Sequence, residues 1–145
     1  MEKDGLVKKR ILENLKHTYC RIMPSKLGGV GVFAVRNIPK GTNPFEILDA
    51  CSWHKFAPAD LEGLDEEVLR MIDDFFVVEK DGTVYIPQVG LNGLNISYFL
   101  NHSTQPNVEV VGDAKDEATI FKTIREIKKG EELMVSYASF DEKWK

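Results

Sequence analysis

Asn101, His102 and Ser103 set a carboxamide, an imidazole and a hydroxyl in succession after the apolar run Ile96 to Leu100. Pro106-Asn107 then forces a turn, because proline presets its φ and asparagine hydrogen-bonds its own backbone. Farther on, Gly130-Glu131-Glu132-Leu133-Met134-Val135-Ser136-Tyr137 ends a strand-like run on a phenol. A serine hydrolase would need histidine to activate serine. Adjacent residues of an extended chain point to opposite faces, and none of Ser25, Ser52, Ser97, Ser103, Ser136 and Ser139 sits in a G-x-S-x-G elbow. His17, His54 and His102 show no ligand spacing, so no metal is expected. Taken singly, Asn101-His102 would be a turn whose side chains satisfy local backbone, and Tyr137 a core-facing strand tyrosine.

A third segment lies upstream. Lys26-Leu27-Gly28-Gly29-Val30-Gly31-Val32-Phe33-Ala34 contains G-x-G-x-x-A from Gly29, with Asp49 at a distance suited to a ribose contact. The dinucleotide fingerprint needs a helix starting within it. Here Val32 to Val35 is rich in strand formers and Pro39 arrives before any helix could form, which argues against a nicotinamide domain. What survives is physical: residues without a Cβ let a ligand approach the backbone closely.

In order and wording, the three segments resemble the SET-domain protein lysine methyltransferases. The resemblance rests on Gly29, Gly31 and Val32-Phe33-Ala34, on Leu94 to Ser103 with Pro106-Asn107, and on Gly130 to Tyr137. It implies a mainly β fold with peripheral helices, the SET β-clip of short strands in several small sheets with a C-terminal pseudoknot. It implies S-adenosyl-L-methionine as cofactor, leaving as S-adenosyl-L-homocysteine, and no metal. Lys26, Gly29, Gly31, Phe33, Tyr98, Asn101, His102, Tyr137 and Trp144 become the expected cofactor-binding residues. Tyr137 and Tyr85 become the catalytic pair lining a lysine channel. Many relatives carry arginine where Tyr98 stands, and the aromatic lid falls to Phe140 or Trp144. The implied activity is methyl transfer to the side-chain amine of lysine in a protein, a histone tail first. A SET-fold module that binds a protein or the cofactor without turnover is the alternative.

The elements that must position these residues follow from periodicity. Val7, Ile11 and Leu15, with Leu12 beside them, make Asp4 to Lys16 an amphipathic helix, and residues 1–18 a helical extension expected to pack on the domain. Residues 19–145 are expected to form the SET domain. Tyr19 to Met23, Val32 to Val35 and Phe45 to Leu48 read as strands. Pro58 to Asp74 has the second helical pattern, with Asp65, Glu66 and Glu67 favouring its positive end. Phe76 to Glu79 and Thr83 to Ile86 flank Asp81-Gly82 as a hairpin. Val108 to Val111 pairs with Thr119 to Ile124, and Leu133 to Tyr137 forms the last strand. No internal repeat, low-complexity segment or linker is visible.

A chain of 145 residues buries enough apolar surface to fold without disulfides. Its net charge of −4 with scattered signs argues against direct binding of nucleic acid and suits a basic protein substrate. Cys20 and Cys51 form no C-x-x-C pair, which suggests reduced thiols in an intracellular compartment, with nucleus and cytoplasm not distinguished. The charged start is not a signal peptide, and no apolar run is long enough to span a membrane. Lacking flanking segments, the domain has reason to complete its substrate groove as a homodimer.

Overall fold

The computed structural model describes residues 2–47, 52–111 and 120–141. The chain opens on α1 (Glu2–Lys16) and runs through β1 (Cys20–Pro24), β2 (Val30–Ala34) and β3 (Trp53–Phe56) to α2 (Glu66–Phe75). It continues through β4 (Val84–Pro87), β5 (Asn101–His102), β6 (Val108–Val111), β7 (Ile120–Thr123) and β8 (Glu132–Val135). One sheet has the order β1-β2-β8-β6-β7, with β5 also paired to β8; β3 and β4 make a separate sheet of two strands. The sheets are antiparallel except where β5 and β6 run parallel to β8. Among the described residues the architecture is one of short strands in two sheets with two α-helices, as the resemblance implies.

β8 explains how the sheet closes. Leu133 and Val135 are buried while Glu132 and Met134 are half-buried, the period of two that puts alternate side chains on opposite faces. The strand lies between β2 on one edge and the 101–108 segment on the other, so the end of the chain threads between strands laid down earlier. Buried backbone groups there need partners, and Asn107 supplies them. Its Nδ2 donates to the Glu132 carbonyl (2.9 Å), its Oδ1 accepts from Met134 N–H (2.8 Å), and its own N–H donates to the Met134 carbonyl (3.2 Å). The expected turn residue thus acts as a substitute strand.

Beyond β2 and ahead of β8, two segments pair as a ribbon. Ile38 and Ile127, both fully buried, exchange N–H···O bonds of 2.8 and 2.9 Å. On one side Ala34 N–H donates to the Glu131 carbonyl (2.9 Å) and Gly130 N–H to the Ala34 carbonyl (2.8 Å). On the other, Gly41 N–H donates to the Thr123 carbonyl and Thr123 N–H to the Thr42 carbonyl, both at 2.9 Å. The main core gathers Cys20, Val32, Ala34, Leu100, Val108, Leu133 and Val135 around this isoleucine pair. A second cluster joins Ile72 of α2 to Phe76 and Val84, with Trp53, Phe56 and Tyr98 packed against it.

Several expectations are revised. Leu6, Val7, Ile11, Leu12 and Leu15 of α1 are more than half exposed, so the helix does not lay its apolar stripe on the domain. It touches the domain at its end, where Arg36 donates to the Lys16 carbonyl (2.7 Å). Phe45 to Ile47 is not a strand: Asn43 Oδ1 accepts from Phe45 N–H (3.0 Å), a local turn that sets Phe45 edge-on to Phe121. Leu48 lies outside the described residues, as do Asp49, Cys51, Thr119 and Trp144. The helical pattern from Pro58 breaks at Gly63, whose φ of +91° a helix cannot hold. It splits into a 3-10 turn, Pro58–Leu61, and α2, capped by Asp65 accepting from Glu67 N–H (2.8 Å). The turn at Asp81-Gly82 forms, but beyond one bridge, Val78 to Val84, β4 takes its partner from β3, Trp53–Phe56. No strand was expected there, because its Trp-His-Lys-Phe sequence lacks β-branched residues.

Candidate active site

Gly31, Phe33, Glu132 and Met134 occupy the face of the β2–β8 pair opposite the buried Val32, Ala34, Leu133 and Val135, since Phe33 and Glu132 are register partners. Asn101 joins them from β5, opposite Met134. Its Nδ2 donates to Glu132 Oε2 (2.8 Å) and to the Val30 carbonyl (3.0 Å). Ser25 Oγ donates to Glu132 Oε1 (2.8 Å) and, within the turn, accepts from Leu27 N–H (3.1 Å). One carboxylate therefore links Ser25, in the turn before β2, to the strand β5. A Cβ on Gly31 would collide with that carboxylate and lie 3.0 Å from Asn101 Nδ2, so any side chain there would push the carboxylate aside. Gly29 adopts φ +61°, which suits a residue without a side chain. Lys26 is exposed within the same turn.

His102, the next residue, faces the other group. Its Nδ1 accepts from Tyr137 N–H (3.0 Å), so the hydrogen of its neutral ring belongs on Nε2. The Tyr137 hydroxyl donates to the Leu100 carbonyl. Its ring is tilted against His102 (centroids 5.2 Å) and edge-on to Phe140 (5.9 Å). Burial raises the Tyr137 hydroxyl above its ordinary pKa, because desolvation penalises the phenolate. Tyr137 opens the 3-10 turn Tyr137–Ser139 rather than ending β8, and this turn swings its ring back over β5.

Gly31 and Asn101 are thus together, and so are His102, Tyr137 and Phe140, with the adjacent residues of β5 joining the two groups. Phe33 is half-buried on the Gly31 face. Tyr98 stands elsewhere, edge-on to Phe76 (5.7 Å) in the second cluster. Tyr85 is half-buried on β4 opposite Lys55. Glu132 and Ser25 were not anticipated as site residues. A signal existed for Glu132: an acid inside an alternating apolar strand faces away from the core, and the face it takes is that of the glycines.

The family model of the SET domain matches residues 29–138, the span that contains Gly29, Gly31, Asn101, His102, Glu132 and Tyr137. No curated protein matches in sequence. Among solved structures 231 chains match, so the fold rests on many comparisons. One is the crystal structure of a candidate histone methyltransferase of Plasmodium falciparum, 25% identical, with a TM-score of 0.53 over 83% of this chain and 93% of that one. With the family model covering most of its length and the fold agreeing, the chain belongs to the SET-domain family of methyltransferases.

Proposed function

We propose that this protein transfers the methyl group of S-adenosyl-L-methionine to a lysine side chain of a basic protein, with histone tails as the first substrates to test. The observation that carries the reading is strand β5. Its two consecutive residues reach different partners, Asn101 the glycine face and His102 the tyrosine, so a cofactor end and a transferring end meet at one place.

The residues present fit the cofactor. Among the described residues, the Asn101 carboxamide oxygen takes no hydrogen bond, which leaves an acceptor for an ammonium beside the bare Gly31. Asn101, His102, Gly29 and Gly31 would hold the cofactor, with Lys26, Phe33 and Trp144 as further proposed contacts. When bound, it supplies a methyl group already activated on sulfonium, so no acid catalyst is needed. The protein's contribution is alignment of amine, methyl carbon and sulfur.

Tyr137 keeps its proton at neutral pH, since burial raises its pKa. Its hydrogen is committed to the Leu100 carbonyl, so its oxygen meets the site as an acceptor. An acceptor there orients an amine N–H or attracts a polarised C–H through weak contacts. Free lysine is protonated at neutral pH with a pKa of about 10.4, and a channel that desolvates the ammonium favours release of its proton. Tyr85 is proposed for that channel wall.

Transfer of labelled methyl to histones, ribosomal proteins and lysate, with Tyr137→Phe as control, tests the proposal. Labelling by the wild type that the variant loses supports it. Calorimetric cofactor binding that Asn101→Ala abolishes, with no transfer to any substrate, would favour the binding module instead.

A further inference from the structure

The paired ribbon beyond β2 carries a charge pattern opposite to that of the whole chain. Residues 34–42 and 123–131 hold Arg36, Lys40, Arg125, Lys128 and Lys129 against Glu126 and Glu131. All five cations are exposed, above the buried Ile38–Ile127 pair. The antiparallel pairing sets Arg36 across from Lys129 and Lys40 across from Arg125. Both carboxylates are already used: Glu126 pairs with Lys128 (2.7 Å) and Glu131 with Arg125 (2.9 Å). Arg36 also stacks on the Tyr19 ring (4.0 Å) while donating to the end of α1, so the ribbon is continuous with that helix. Helix residues 2–16 add Lys3, Lys8, Lys9, Arg10 and Lys16 against Glu2, Asp4 and Glu13. Ten cations and five carboxylates therefore stand on helix and ribbon, a balance of +5 in a chain of −4, and the remainder carries −9.

This separation reverses what the net charge implies about partners. A uniform −4 repels phosphate, whereas the ribbon, with five cations against two carboxylates and so a local +3, attracts it at short range, because screening confines the remaining acid to about a Debye length of 8 to 10 Å. We propose that the ribbon, together with the adjoining end of α1, is a docking surface for the phosphate backbone of a nucleic-acid duplex. The ribbon favours a phosphate backbone over an acidic peptide. Its exposed side chains are mostly charged, with Ile124 and Pro39 the only apolar ones among them, so the ribbon itself gives a peptide's apolar side chains little to anchor on. Phosphate contacts need none and carry no sequence information. The surface leaves the sheet where β2 ends and β8 begins, whereas Tyr137 follows the other end of β8, so a bound duplex and the site remain compatible. The inference concerns binding alone and does not depend on the proposed methyl transfer.

Fluorescence anisotropy with a labelled duplex over a salt series tests it on the whole chain. Each phosphate neutralised adds about 0.9 to the slope of log affinity against log salt, so Lys40→Gln with Lys129→Gln should lower that slope by about 1.8. Lys55→Gln with Lys80→Gln, outside the surface, should leave it unchanged. Circular dichroism melting of both double variants at the wild-type temperature excludes unfolding as the cause. Absence of duplex binding at about 50 mM salt would overturn the proposal. So would an unchanged slope in the ribbon variant, an equal drop in the control pair, or capture of polyglutamate in place of the duplex.

Discussion

At the residue scale, Glu132 organises the candidate site and Gly31 makes room for it. Gly31→Ala is expected to displace the carboxylate, release Asn101 and weaken cofactor binding about tenfold, roughly 1.4 kcal/mol. Calorimetry reads the affinity, and an unchanged melting temperature separates the effect from folding, since Gly31 holds no left-handed conformation. Tyr137→Phe removes the hydroxyl yet keeps the ring against His102 and Phe140, so methyl transfer should fall at least about tenfold, or 1.4 kcal/mol in the barrier, with cofactor affinity little changed. That His102 and Tyr137 would meet was legible only through the resemblance of their two segments to known family motifs, since residue types alone suggest a capped turn and a core tyrosine. Glu132 and Ser25 were not legible, because the face a side chain takes depends on strand register, and register is fixed by partners distant in sequence. Tyr98 was assigned by its place in a motif, but an aromatic neighbour decides where its ring lies.

At the element scale, Asn107 replaces a missing strand. Asn107→Ala leaves the Glu132 carbonyl and Met134 N–H without their side-chain partner, and each such buried group costs about 1 to 3 kcal/mol. Denaturant unfolding should show a loss of roughly 2 to 4 kcal/mol. β2, β6, β7, β8 and α1 were readable from period and composition. β3 was not, since Trp53 to Phe56 becomes a strand through the edge that β4 offers. Phe45 was expected in a strand because its neighbours are apolar, yet Asn43 captures its N–H first. The fate of the α1 stripe depends on what lies beside it, and periodicity does not report that.

At the scale of the whole molecule, buried acids of high pKa set the alkaline limit of stability. Burial pushes the Cys20 thiol from 9.0 up to about 12 and raises Tyr137 as well. Both groups are neutral in either state well below pH 9, so their contribution is complete there. As pH rises from 9 toward 12 the unfolded chain ionises first, and stability is lost. Denaturation midpoints should fall across that window in the wild type and fall less in Cys20→Ala. The ribbon carries a different consequence. Rotating it by half a turn about the midpoint of Ile38 and Ile127 exchanges Ala34 with Thr123, Ile38 with Ile127 and Gly41 with Gly130, and maps each backbone bond across the ribbon onto another. The residues correspond too, Ala-Val-Arg-Asn-Ile-Pro-Lys-Gly against Thr-Ile-Arg-Glu-Ile-Lys-Lys-Gly, each pair equally far apart along the chain. The chain therefore does contain a repeat, too short and too widely separated to stand out by eye. Its two copies meet as the halves of an isologous dimer meet, each presenting one surface to its own likeness.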